Sequence, residues 1–121
     1  RLCLESGVSI DRITMSSDGN GSMPVFDAQG KLTGLIAASP RSLLDSVRNI
    51  VKAGILPLGE AIKPVTVNPA TSLKLPNKGR IETGFDADIL VLDGNLDIAH
   101  LFAKGRAMVS GNVVAKGVFE K

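Results

Sequence analysis

Glycine spacing sets the strongest limit on what this chain can fold into. From residue 77 onward glycines fall at positions 79, 84, 94, 105, 111 and 117, and the stretches between them suit strands better than helices. Ile89-Leu90-Val91-Leu92 is a continuous apolar run, the pattern of a strand covered on both faces. Ile98 to Phe102 and Ala107 to Val109 are further strand candidates. Ser110-Gly111-Asn112 reads as a hairpin turn leading into Val113-Val114-Ala115. Residues 77–121 therefore form a β-rich segment.

Residues 1–76 follow a different grammar, α/β in character. Leu2 to Gly7 reads as the tail of a helix closed by Gly7. Ile13 to Ser16 is short, apolar or β-branched and bounded by turn formers, which predicts a strand with Asp18 at its C-terminal edge. Residues 23–38 fit either a long loop or a short hairpin around the turn Asp27-Ala28-Gln29-Gly30. Ser39 can cap a helix and Pro40 suits its first position. Leu43, Val47, Ile50 and Val51 then recur at helical spacing until Gly54. A second helix fits Pro57 to Lys63, interrupted by Pro64. Asn68-Pro69 reads as the cap and first position of a third helix, through Leu73.

Composition narrows the function. Fourteen Lys and Arg against twelve Asp and Glu leave +2, too little to imply a polyanionic partner. With no Trp or Tyr and four Phe, a stacking platform for nucleic acid is not expected. One cysteine, Cys3, excludes an intrachain disulfide and a cysteine zinc cage, and one histidine, His100, excludes a self-contained multi-histidine metal site. No apolar run is long enough for a membrane helix and no secretory leader is evident. A cytoplasmic setting is expected, and a start inside structured sequence at Arg1 suggests a piece of something longer.

Asp18, Asn20 and Ser22 have the one-three-five spacing that opens a calcium loop, but Met23 replaces the required glycine and Gln29 the required glutamate. Gly19-Asn20-Gly21 lacks the third glycine of a dinucleotide loop. Two readings stay open from spacing alone: an ordinary turn, or an acid presented at a strand end, where α/β enzymes place their chemistry. His100, beside Leu101 and Phe102, reads as a packed or edge-strand residue. Asp86 and Asp88 read as acids stabilising a turn through backbone hydrogen bonds. Lys104 and Arg106 read as solvated surface, and Cys3 as a buried thiol.

Three segments together carry a resemblance. Thr66-Val67-Asn68-Pro69-Ala70, Lys78-Gly79-Arg80-Ile81-Glu82-Thr83-Gly84 and Phe85-Asp86-Ala87-Asp88-Ile89-Leu90-Val91-Leu92-Asp93 resemble, in order and spacing, the C-terminal signature of the amidohydrolase superfamily. Ser16-Ser17-Asp18-Gly19-Asn20-Gly21-Ser22 is similar to the segment around the last metal-binding aspartate of isoaspartyl (β-aspartyl) dipeptidases. The resemblance runs essentially the whole chain and corresponds to the last third or so of such an enzyme. It implies a (β/α)8 barrel flanked by a small composite β-sandwich. Residues 1–76 would be the end of the barrel, with 13–18 its eighth strand and 39–54 the helix outside it. Residues 77–121 would be C-terminal strands of the sandwich. It further implies hydrolysis of β-aspartyl dipeptides with two zinc ions. Asp18 matches the aspartate that ligates one zinc and shuttles the proton, and Ser22 matches a residue contacting the dipeptide.

An amide needs a strong nucleophile and a protonated leaving amine, and a carboxylate beside an activated water can serve both needs. The family's His-x-His pair, bridging carboxylated lysine, two further histidines, and substrate-binding arginines and tyrosine are absent here. General-base catalysis by one group gives about 10²–10⁴-fold, against at least about 10⁶-fold for a working enzyme. The chain alone is expected to be inactive. The same region of a dihydroorotase-, hydantoinase- or deacetylase-like amidohydrolase is an alternative, as is a non-enzymatic interaction module. A barrel needs about 250 residues. The apolar faces of Leu43, Val47 and Ile50 and of Ile89 to Leu92 are therefore expected to need cover, through homo-oligomerisation, rearrangement or the missing N-terminal part of the parent.

Overall fold

A computed structural model describes residues 2–113 and 115. The chain divides into two compact units, Arg1–Pro69 and Ala70–Lys121.

The first unit opens with α1 (Leu2–Glu5). Gly7 adopts φ 79 and its N–H donates to Leu4 O at 3.0 Å, the helix-closing role expected of it. A 3-10 turn covers Ile10–Arg12, capped by Ser9, whose side chain accepts from Asp11 N–H. The strand expected at Ile13 to Ser16 does not form. Ile13 is extended, with φ −100 and ψ 130, but residues 13–18 carry no strand assignment. A strand exists by virtue of a partner that takes its backbone groups. Here Met15 N–H donates to Pro64 O at 2.9 Å, which belongs to a 3-10 turn and offers no ladder.

Residues 22–37 resolve the open alternative as a hairpin. β1 (Ser22–Phe26) and β2 (Leu32–Ala37) pair antiparallel, with Met23 opposite Ile36 and Pro24 opposite Leu35. The turn is held by Asp27 Oδ1, which accepts from Gln29 N–H at 3.0 Å and Lys31 N–H at 2.8 Å. Directly opposed residues share a face. Met23, Leu35 and Ile36 are all exposed, so apolar side chains lie open on both faces of the hairpin.

α2 (Ser42–Lys52) begins later than Ser39 and Pro40 suggest. Ser39 Oγ accepts from Arg41 N–H at 3.3 Å, so Ser39 and Pro40 form a turn ahead of the helix. The helix ends as expected. Gly54 N–H donates to Val51 O and Ile55 N–H to Ile50 O, with Gly54 at φ 64, which is the Schellman pattern. Val47 is 2% exposed, while Leu43, Ile50 and Val51 are half-buried. Cover for Val47, expected to be lacking, is therefore present, and α2 packs against α3 (Leu58–Ala61). Pro57 caps α3, and Pro64 lies fully buried in a 3-10 turn, Lys63–Val65.

α4 (Val67–Ser72) carries the chain from one unit into the other. Asn68 falls inside its first turn instead of capping it. The side chain has other work. Its Nδ2 donates to Ile10 O at 2.8 Å and Ile13 O at 2.7 Å, so both amide hydrogens hold the segment that leads to Asp18.

Within the second unit, β3 (Ile89–Leu92), β4 (Ile98–Ala103), β5 (Arg106–Ser110) and β6 (Asn112–Val113) form an antiparallel sheet in chain order. Val114, expected in the last strand, lies outside the described residues. Lys104 (φ 48) and Gly105 (φ 77) join β4 to β5, the two positive dihedrals of a type I′ hairpin turn. Leu90 and Val91 are 43% and 39% exposed. The two-sided cover read from Ile89 to Leu92 is thus not met, because β3 is the edge strand of a single sheet. Ahead of β3, Lys78 Nζ bridges Asp86 Oδ2 at 2.7 Å and Asp88 Oδ2. Asp88 Oδ1 accepts from Lys104 N–H at 2.7 Å. Asp88 therefore has the turn-stabilising role read from sequence. Hydrogen bonds from Lys78 first, then from Lys104 N–H, hold its carboxyl below the usual carboxylate range. Among the described residues, no helix is long and apolar enough to cross a membrane.

Candidate active-site loop

Asp18 leaves the extended segment in a left-handed conformation, φ 47, which aspartate tolerates better than most residues. Ser16 Oγ accepts from Asp18 N–H at 3.3 Å. Asp18 O accepts from Gly21 N–H at 2.7 Å, closing a four-residue turn. Its third residue, Asn20, has φ 67, as a type II turn requires. The turn is clasped to the end of the hairpin: Asn20 N–H donates to Ala38 O and Ala38 N–H to Gly21 O, both at 2.9 Å. Ala38 is buried. Asp18 itself is exposed, as is Ser22, the first residue of β1.

Asp18 and Ser22 thus share one short connection, but the paired strand whose end Asp18 was expected to mark is absent. An exposed carboxylate on a pinned turn can accept a proton or offer one oxygen to a cation. It cannot hold a catalytic zinc alone, since such sites take three protein ligands. Among the described residues, no three His, Cys, Asp or Glu side chains lie together so as to hold a metal ion. Among the described residues there is therefore no complete metal site.

The other candidates take structural places. His100 lies in β4, between β3 and β5, half-buried, with Nδ1 3.2 Å from Ser110 Oγ. Cys3 is exposed, against the buried thiol expected; α1 contributes no buried residue, so its apolar context carries no burial. A shallow cavity is lined by Leu4, Glu5, Ala53, Gly54 and Ile55, and neither Asp18 nor Ser22 lines it. Two residues that sequence reasoning missed bear on the loop. Asn68 anchors the segment before it. Gly21 sits so close to Asp18 that a Cβ there would lie 2.5 Å from Asp18 Oδ2 and 2.7 Å from its Cγ. The signal for Gly21 was its place in a short glycine-flanked turn; Asn68 gave none beyond its type.

The sequence matches the amidohydrolase family over residues 1–119, and the chain belongs to that family. Among solved structures, it is similar to the β-aspartyl dipeptidase of Fervidobacterium islandicum AW-1 in complex with β-Asp-Leu dipeptide. The TM-score is 0.81 and the identity 37%, over 98% of this chain and 30% of that one. An adenine deaminase of Geobacillus kaustophilus is 43% identical over 63 residues, covering 50% of this chain and 11% of the deaminase. An N-acetylglucosamine-6-phosphate deacetylase of Lysinibacillus sphaericus is 34% identical over 79 residues, covering 65% of this chain and 20% of the deacetylase. The chain spans less than a third of the length of each of these proteins.

Proposed function

We propose that this chain is the C-terminal part of a zinc-dependent isoaspartyl dipeptidase, contributing the end of its barrel and part of its β-sandwich. One observation carries the reading: compared structure with structure, the β-aspartyl dipeptidase matches 98% of the chain at a TM-score of 0.81 and 37% identity, whereas a solved N-acetylglucosamine-6-phosphate deacetylase matches 88% at 0.66 and 20%, a likeness of fold alone. The Ser16-to-Ser22 turn lies within that extent.

In this reading Asp18 is the general base and one metal ligand. Its carboxylate takes the proton of the attacking water and passes it to the departing nitrogen, so that amine leaves instead of amide anion. Ser22, with its hydroxyl at the exposed start of β1, contacts the dipeptide. When bound, the metal would supply a water whose pKa falls from about 15.7 toward about 7. The remaining ligands lie outside this chain, so the 121 residues alone do not turn over substrate. A cytoplasmic setting, a peptide substrate and self-association go with this reading. The second reading, another amidohydrolase, rests on the higher local identity to adenine deaminase.

The test uses the full-length protein that contains this chain, with zinc, on β-Asp-Leu. Hydrolysis is expected, with a loss of at least about 100-fold in Asp18→Asn, and the 121-residue chain should match the metal-only blank. No β-aspartyl hydrolysis, with release of ammonia from adenine or acetate from N-acetylglucosamine-6-phosphate, would favour the second reading. Turnover by the isolated chain would overturn the account of where the ligands lie.

A further inference from the structure

The Asp18 turn contains two glycines, and neither has a positive φ. Left-handed backbone strain therefore opposes alanine at neither, and what distinguishes them here is space. At Gly19 a Cβ would meet Pro40 Cγ at 3.1 Å and Ser17 Oγ at 3.3 Å, contacts that small shifts relieve. At Gly21 it would lie 2.5 Å from Asp18 Oδ2, 2.7 Å from Cγ and 2.8 Å from the backbone oxygen. No real Cβ sits so close, so the side chain of Asp18 must turn away, and the turn must also give slightly at Asp18 O. The backbone has little room to help, because Gly21 N–H is bonded to Asp18 O and Gly21 O is bonded to Ala38 N–H.

We infer that Gly21 is a positioning residue for Asp18: the absence of a Cβ at this place lets the carboxylate lie back over the turn, and that placement sets where the proton is taken. The inference rests on the proposed dipeptidase reading for its catalytic consequence, but its steric half stands apart from it. Ser22 follows Gly21 on β1, beyond the clasp at Ala38, so substrate contact and carboxylate placement separate. A side chain at 21 changes kcat and leaves KM nearly as it was. A misplacement of about 1 Å costs about 100-fold in rate.

The experiment compares Gly21→Ala with Gly19→Ala in the full-length protein with zinc, on β-Asp-Leu. Expected are a fall of about 100-fold in kcat for Gly21→Ala with little change in KM, and a much smaller fall for Gly19→Ala. Equal falls in the two variants, unchanged kcat in Gly21→Ala, or a rise in KM alone would overturn the inference. A thermal-denaturation cycle with Asp18→Gly provides the readout independent of activity. Gly21→Ala should lower Tm more in the native background than once the Asp18 side chain is gone, the remaining loss coming from the contact with Asp18 O, which both backgrounds share. The same holds if Gly21→Ala fails to fold: partial or full rescue by Asp18→Gly supports the inference, and no rescue overturns it. An inactive wild-type protein with the Tm coupling intact would sink the dipeptidase reading and leave the steric relation standing.

Discussion

Replacing Asn68 should loosen the approach to the Asp18 turn without touching it. Asn68 is 6% exposed, and its two amide hydrogens go to Ile10 O and Ile13 O. Asn68→Ala removes two hydrogen bonds, each worth about 0.5–1.5 kcal/mol net, for a total of about 1–3 kcal/mol. Ile10 O keeps a second donor, Ile13 N–H at 3.1 Å, so its loss is the milder one. Asn68→Asp is the harsher change, since a carboxylate has acceptors only and would face two carbonyl oxygens. Native-state hydrogen exchange of the full-length protein reads this locally. The Ile13 and Met15 amides, bonded to Ile10 O and Pro64 O, should lose about 5- to 150-fold protection in Asn68→Ala. They should lose more in Asn68→Asp, while β4 and β5 amides keep theirs. Unchanged protection at Ile13 and Met15, or an Asp variant as well protected as the Ala variant, would refute the reasoning.

Two further outcomes follow from charge and backbone. Asp88 has its carboxyl held below the ordinary value by Lys78 and then by Lys104 N–H, so its stabilisation is full above the unfolded carboxylate value and is lost as pH falls through the lowered folded value. Asp88→Asn should therefore weaken the β3–β5 sheet at neutral pH and flatten its acid limb in an NMR-followed pH titration; identical acid limbs would contradict this. Gly54→Ala should cost about 1–2 kcal/mol through the left-handed φ alone, because a Cβ there meets nothing within 4 Å. Gly54→Asn should recover part of that, and urea denaturation that finds alanine harmless would dismiss the Schellman account.

What the sequence disclosed was local. Gly54 ends α2, Asp27 to Gly30 turns the hairpin, and the runs at 89–92, 98–102 and 107–109 are strands, because each depends on neighbours within a few residues. What it hid depends on distant partners. Ile13 to Ser16 has strand composition but no ladder, and composition does not report pairing. Asn68 looked like a cap because caps are local, yet its amide reaches residues 55 and 58 positions away. Cys3 looked buried because its neighbours are apolar, although no core lies against them. At the candidate site, resemblance singled out Asp18 and Ser22, which the structure places on one short connection, while Gly21 needed coordinates, since only distances reveal what an added carbon would strike.

The clasp at Gly21 and Ala38 makes the excursion between them modular. Two backbone hydrogen bonds close its base, so residues 22–37 form a detachable flap whose length and side chains can drift while the acid stays in register. Such a chain can rewrite the flap, Ser22 included, and keep the turn that carries Asp18 fixed.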